Sequence, residues 1–132
     1  MFMQRAVRLI AAALMLGGGA IHLTLWMHGY QGIPYIGTLF LVNAAMSAIA
    51  GVGLLLSVAK PVAMFSVALS LGSLAALVVS RTVGLIGFKD SWNSASVQVI
   101  AMELGAIVAI ATAMTMRRQW ALRPALIRSG SR

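Results

Sequence analysis

Four residues hold most of the chemistry that the apolar runs of this chain offer: His22, Asn43, Arg81 and Glu103. Each falls in a different run. Glu103 is the one acid inside such a run. A carboxylate near the middle of a membrane helix costs roughly 2.5–3.5 kcal/mol on insertion scales, and somewhat less nearer the end, so it needs a partner or a proton. Arg81 ends the third run at a similar level. His22 sits about one turn, and Asn43 about two turns, inside their own runs. If neighbouring runs are antiparallel, these four residues meet in one layer near the outer face of the membrane. That layer has two readings. It is a site for a ligand, a proton or a lipid headgroup, or it is a network of hydrogen bonds and ion pairs that fixes helix packing. Arg81 has a third option, reaching to the water surface on its own.

Other chemistry finds less support. There are no cysteines, which excludes disulfides, thiolate catalysis and thiolate metal sites. His22 and His28 are the two histidines and stand six positions apart. They therefore do not face each other across a haem within one chain, although His22 with a methionine, or with a second copy, remains an alternative. The nine methionines are scattered, as apolar filler is, rather than clustered as for copper. Asp90, Ser91 and His28 lack the spacing of a nucleophilic set. Gly17–Gly19 lies inside an apolar run and reads as packing, not as a phosphate loop. No catalytic residue, metal or cofactor is expected.

The elements that position these residues follow from composition. Of the 132 residues, 61% are hydrophobic and 9% charged, against about 25% charged in a soluble domain. So few charges cannot cover a soluble surface, which leaves the bilayer as the main solvent. A span takes about 20 apolar residues, and the pattern fits four: residues 7–27, 35–58, 62–82 and 96–116. The expectation is an all-α, up-down-up-down, four-helix transmembrane bundle in one domain, with a basic tail at 117–132. A cleaved signal peptide rivals the first span, because Arg5 and Arg8 precede an apolar run and then small residues. Against it, apolar character continues through Trp26.

The first loop, HGYQGIP, is rich in turn formers, and Tyr30 within it and Trp26 and Tyr35 on either side suit a membrane interface. Pro61 suits the first turn of the third helix. The third loop, VGLIGFKDSWNSA, reads as a short interfacial segment. Small residues at Gly17–Gly19, Ser47/Gly51 and Gly105/Ala109/Ala113, with a stripe of Ser66, Ser70, Ser73 and Ser80, offer close helix contact.

The net charge is +8. The basic residues flank apolar runs, so their expected partner is the membrane surface rather than nucleic acid. Eight of them fall at the N-terminus, the second loop and the tail, and two (Arg81 and Lys89) on the opposite side. The positive-inside rule then places both termini in the cytoplasm. In the tail, Arg117, Arg118, Trp120, Arg123 and Arg128 are candidates for contact with anionic lipid, with Pro124 expected to break any long helix.

At GAIHLTLWMHGYQGIPYIGTLFLVNA and SRTVGLIGFKDSW the chain resembles small four-span membrane proteins of high-GC Gram-positive bacteria, which carry no assigned function. It departs from them at Ile86, where they often have proline. The resemblance implies topology and a bacterial plasma membrane, and brings no catalytic residue. The functional expectation is a non-enzymatic accessory or packing subunit, or a binder of lipid or a small molecule. A membrane-protein partner or a homo-oligomer would complete it. The alternative is a haem- or quinone-linked redox protein centred on His22.

Overall fold

The computed structural model describes residues 2–129, and the side chains of 2–119 and 121. It is an all-α bundle of four helices: α1 (Phe2–Met27), α2 (Ile36–Leu56), α3 (Lys60–Thr82) and α4 (Ser94–Ser129). Each is long and apolar enough to cross a bilayer. The chain is therefore a multi-pass membrane protein. The helices run up-down-up-down, and α1 packs against both α2 and α4 while α3 closes the ring.

The packing inverts that of a soluble bundle. Leu9, Ile10, Ile49, Leu56, Leu71 and Val108 are exposed, where lipid tails solvate them. Small side chains fill the interior, among them Ala11, Ala12, Ala50, Ala63, Ala106 and Ala113 around Met15, Leu54 and Ile110. Lipid is as apolar as leucine, so helices gain by close contact rather than by burying bulk. The α1–α2 contact shows how close: a Cβ at Gly19 would lie 2.9 Å from that of Ser47 and 3.1 Å from the Ala44 carbonyl oxygen. The four serines of α3 all face inward. Ser66 and Ser80 donate to carbonyls of their own helix, while Ser70 reaches Met15 and Ser73 reaches His22.

Helix ends follow local chemistry. Pro61 sits in the first turn of α3, as expected. Asn93 caps α4: its Oδ1 accepts from the Ser96 amide at 3.0 Å, and the Asn93 amide donates to Ser96 Oγ at 3.4 Å. This reciprocal pair satisfies two donors that a helix start leaves open. At the other end, α4 does not stop at residue 116 but continues to Ser129 through Pro124. The alanines, leucines and arginines around Pro124 are strong helix formers, and they carry the helix across one missing hydrogen bond.

The first and third loops are tight. Tyr35 adopts φ 62 ahead of α2, and the Ile36 amide donates to the Pro34 carbonyl at 2.7 Å, a strained three-residue turn. In the third loop, Leu85 and Phe88 exchange both backbone hydrogen bonds. The residues between them, Ile86 and Gly87, have φ 49 and 77. Two consecutive left-handed residues are the signature of a type I′ turn. Proline is fixed near φ −65 and cannot take the first of these positions.

Candidate functional site

At the end of the bundle away from the termini, all four helices and the third loop surround a cavity of about 80 Å³. His22, Asn43, Ser73, Ser80, Arg81 and Ser96 supply its polar lining, and Phe40, Leu77, Phe88 and Val99 are among its apolar walls. A buried water needs about 10–15 Å³ of such space. The cavity therefore has room for a few waters or one small polar group.

His22 is buried on the inward face of α1. Its Nδ1 lies 2.8 Å from the Gly18 carbonyl oxygen, and its Nε2 lies 3.4 Å from Ser73 Oγ. A carbonyl only accepts, so Nδ1 carries the proton in that bond. In the neutral ring Nε2 is then an acceptor, available to the Ser73 hydroxyl or to a donor in the cavity. The ring tilts against Phe40, with centroids 5.3 Å apart. Asn43 accepts from Ser47 at 3.0 Å through Oδ1, and Ser47 lies in the α1–α2 seam one turn deeper.

A polar latch sits beside the cavity. Arg81 pairs with Asp90 in the third loop and donates through Nε to Ser96 at 3.1 Å. Tyr30, from the first loop, donates its hydroxyl to the same Asp90 oxygen at 2.6 Å. The Asp90 amide in turn donates to the Ser80 carbonyl. The Tyr30 ring stacks on Phe40 at 4.6 Å and meets Phe88 edge-on at 5.8 Å. Two loops distant in sequence are thus joined at this end of the bundle by one carboxylate and one aromatic cluster.

These contacts set the ionisation of the latch. Burial pushes the Asp90 carboxyl up, but the Tyr30 hydroxyl, the Ser91 amide and the Arg81 guanidinium together outweigh it and hold the group below its ordinary value. Burial raises the Tyr30 phenol, and its bond to the Asp90 carboxylate raises it further. With Asp90 ionised, Arg81 is neutralised in place, and the cavity presents hydrogen-bonding groups rather than net charge.

Three of the four expected layer residues, His22, Asn43 and Arg81, line this cavity. Glu103 does not. It is buried at 3% exposure, one to two turns deeper, with Oε1 3.7 Å from where a Gly18 Cβ would stand. Neither Arg81 nor His22 bonds to it among the described residues. Glu103 thus stands apart from the single layer expected of the four residues: Arg81 turns outward to Asp90, and His22 is held by Gly18 and Ser73. The arginine sits at a helix end, where a loop carboxylate reaches it without the cost of entering the bilayer.

Tyr30, Ser73, Asp90 and Ser96 have roles that sequence reading did not assign. The signal for Asp90 was its position in the loop that leaves Arg81. That for Ser73 was its place in the serine stripe. His28 is exposed, with Nδ1 on the Thr24 carbonyl at 2.7 Å, and takes no part in the cavity. Of the tail residues, Arg117 donates to the Val58 carbonyl at 2.7 Å, and Arg118 is exposed. The side chains of Trp120, Arg123 and Arg128 lie outside those described. No group of three or more His, Cys, Asp or Glu side chains able to hold a metal occurs among the described residues.

The chain matches no protein-family model, no curated protein and no solved structure. Its site is therefore read from geometry alone.

Proposed function

We propose that this is a non-enzymatic membrane component whose outer cavity holds a small uncharged group, either the polar head of a lipid or a small molecule that enters from the membrane. One observation carries the reading. The polar groups of four helices leave a cavity of about 80 Å³ between them even where His22 meets Ser73 and Arg81 meets Ser96. A network kept only for packing would collapse the gap, since close contact is what holds membrane helices together. The chemistry supports an uncharged occupant. Arg81 is already matched by Asp90, His22 Nε2 accepts, and Asn43 and Ser96 offer further polar atoms. Phe40, Leu77 and Phe88 suit the apolar part of such a molecule.

By the positive-inside rule, both termini are cytoplasmic and the cavity lies in the outer leaflet of a bacterial plasma membrane. The basic tail from Arg117 onward meets anionic lipid on the inner face. A membrane-protein partner or a second copy covers part of the exposed apolar surface.

The test is small-molecule mass spectrometry on protein purified in mild detergent, comparing wild type with Ala76→Phe, which fills the cavity. The wild type should carry a near-stoichiometric uncharged compound that the variant lacks. Identical profiles from two folded proteins would overturn the reading. An absorbance spectrum of the same sample addresses the competing redox reading, because a Soret band would put haem on His22 in place of the proposed occupant.

A further inference from the structure

The opposite end of the bundle carries a second cavity, of about 350 Å³, and its chemistry is different. Gln4, Arg5 and Arg8 of α1, Ser57 and Val58 after α2, and Arg117 of α4 line it. Arg8 lies one turn before the buried Ala12 on the inward face of α1, so its guanidinium caps the bundle interior. Its Nε is buried and has no hydrogen-bond partner among the described residues. Arg117 is anchored through Nη1 to the Val58 carbonyl at 2.7 Å, which leaves its other N–H groups for a ligand.

No acid balances this cluster. The chain has two acidic residues. Asp90 is committed to the latch at the far end. Glu103 precedes Arg117 by fourteen positions on the same helix, a rise of about 21 Å. Three arginines, Arg8 half-buried and Arg5 and Arg117 exposed, therefore line one cavity without a carboxylate. Like charges held together repel, and a buried N–H without an acceptor costs free energy. Those costs persist in a packed structure when something absent from the chain offsets them. A planar fork of N–H donors matches phosphate oxygens two at a time, and the Ser57 hydroxyl and Gln4 amide add neutral donors.

We propose that this mouth binds a phosphate oxyanion, carried by a lipid headgroup or free in solution. The site is independent of the outer cavity, and either can fail without the other.

Native mass spectrometry tests the lipid source. The full chain is placed in maltoside micelles doped equally with phosphatidylglycerol and a glucosyl diacylglycerol that has the same acyl chains but no phosphate. Thermal shift with inorganic phosphate in lipid-free micelles tests the free ion. The wild type should retain phosphatidylglycerol over the glycolipid, and Arg8→Gln should lower that retention about tenfold, as expected for a charge-assisted hydrogen bond. Arg118→Gln, outside the cavity, should change nothing. If phosphate raises the wild-type Tm but not that of Arg8→Gln, with no preference for phosphatidylglycerol, the site holds and its source is the free ion.

The unliganded Arg8→Gln protein should melt at or above the wild type, because the substitution relieves crowded charge. A lower Tm would mark Arg8 as a structural residue and overturn the proposal. Arg5→Gln alters an exposed side chain, so it provides a second variant whose folding is secure, and it should lose retention in the same direction. Equal retention by wild type, Arg5→Gln and Arg8→Gln with no phosphate response would overturn the site. So would an equal loss in Arg118→Gln, which would indicate diffuse surface charge.

Discussion

Arg81 and Asp90 are nine positions apart and form an ion pair across a tight turn, the arginine side chain 6% exposed and the aspartate 25%. The pair joins the end of α3 to the loop that leaves it. Through Tyr30 it also reaches the first loop, so one carboxylate ties the first and third loops together.

Its pH dependence has two edges. The depressed Asp90 carboxyl contributes stability that is fully present above its unfolded value, about pH 3.9. That stability is lost as pH falls through the lower folded value. The raised Tyr30 phenol contributes stability present below about pH 10 and lost as pH rises through its folded value. Hydrogen exchange of the Asp90 amide, which is bonded to Ser80, should show a protection factor that is high between the edges and drops beyond each. Protection that stays constant through either edge would contradict the latch.

Asp90→Asn should destabilise the protein by roughly 1–3 kcal/mol, because it leaves a nearly buried guanidinium without its counter-charge. Arg81→Leu combined with Asp90→Asn should recover part of that loss. Denaturation of the two single variants and the double variant gives the coupling, and strict additivity would show that the pair is not energetically linked.

Gly37→Ala should loosen the first loop. A Cβ there would lie 2.7 Å from the Tyr30 carbonyl oxygen and 2.9 Å from that of Gln31. Both are backbone atoms that cannot step aside, so the cost is about 1–3 kcal/mol. Tyr30 should also leave Asp90. Unchanged melting together with unchanged protection at the Asp90 amide would count against the contact.

Glu103→Gln and Glu103→Leu should differ in stability by less than about 1 kcal/mol, in keeping with the small hydrogen-bond energies measured between membrane helices. Neither change leaves Arg81 or His22 without its partners, since these are Asp90, Ser96, Gly18 and Ser73. Unfolding in a mild detergent series measures this. A Leu variant much weaker than the Gln variant would reveal a partner for the carboxyl.

Topology is tested by labelling. A cysteine at Ser91 should react with an impermeant thiol reagent on intact cells, and one at Ser129 should not. The reverse pattern would invert the assignment of both cavities to leaflets.

The helices were legible because 20-residue apolar runs leave no other solution in lipid, and their inner ends lay within two or three residues of expectation. The depth argument brought His22, Asn43 and Arg81 to one level because helix rise is regular. Depth says nothing about azimuth, and an arginine at a helix end has a loop to choose from as well as a neighbouring helix. Asp90 was visible as a residue but not as a latch, because the turn that aims it depends on Ile86 adopting a left-handed backbone, which an isoleucine does not signal. The extension of α4 through Pro124 is likewise hidden in the sequence, because a run of helix formers outweighs one helix breaker.

The α1–α2 seam bears on how the protein is made. Gly19 against Ser47, and Gly51 against Leu16 and Ala12, bring these two backbones into close approach, and both helices leave the ribosome before α3 and α4. Their tight interface can therefore form in the membrane while synthesis continues. The outer cavity cannot, because Ser73, Arg81 and Ser96 arrive with the second hairpin. The occupant proposed above would therefore enter only after the last helix has been inserted, and its binding would report completed assembly rather than help to template it.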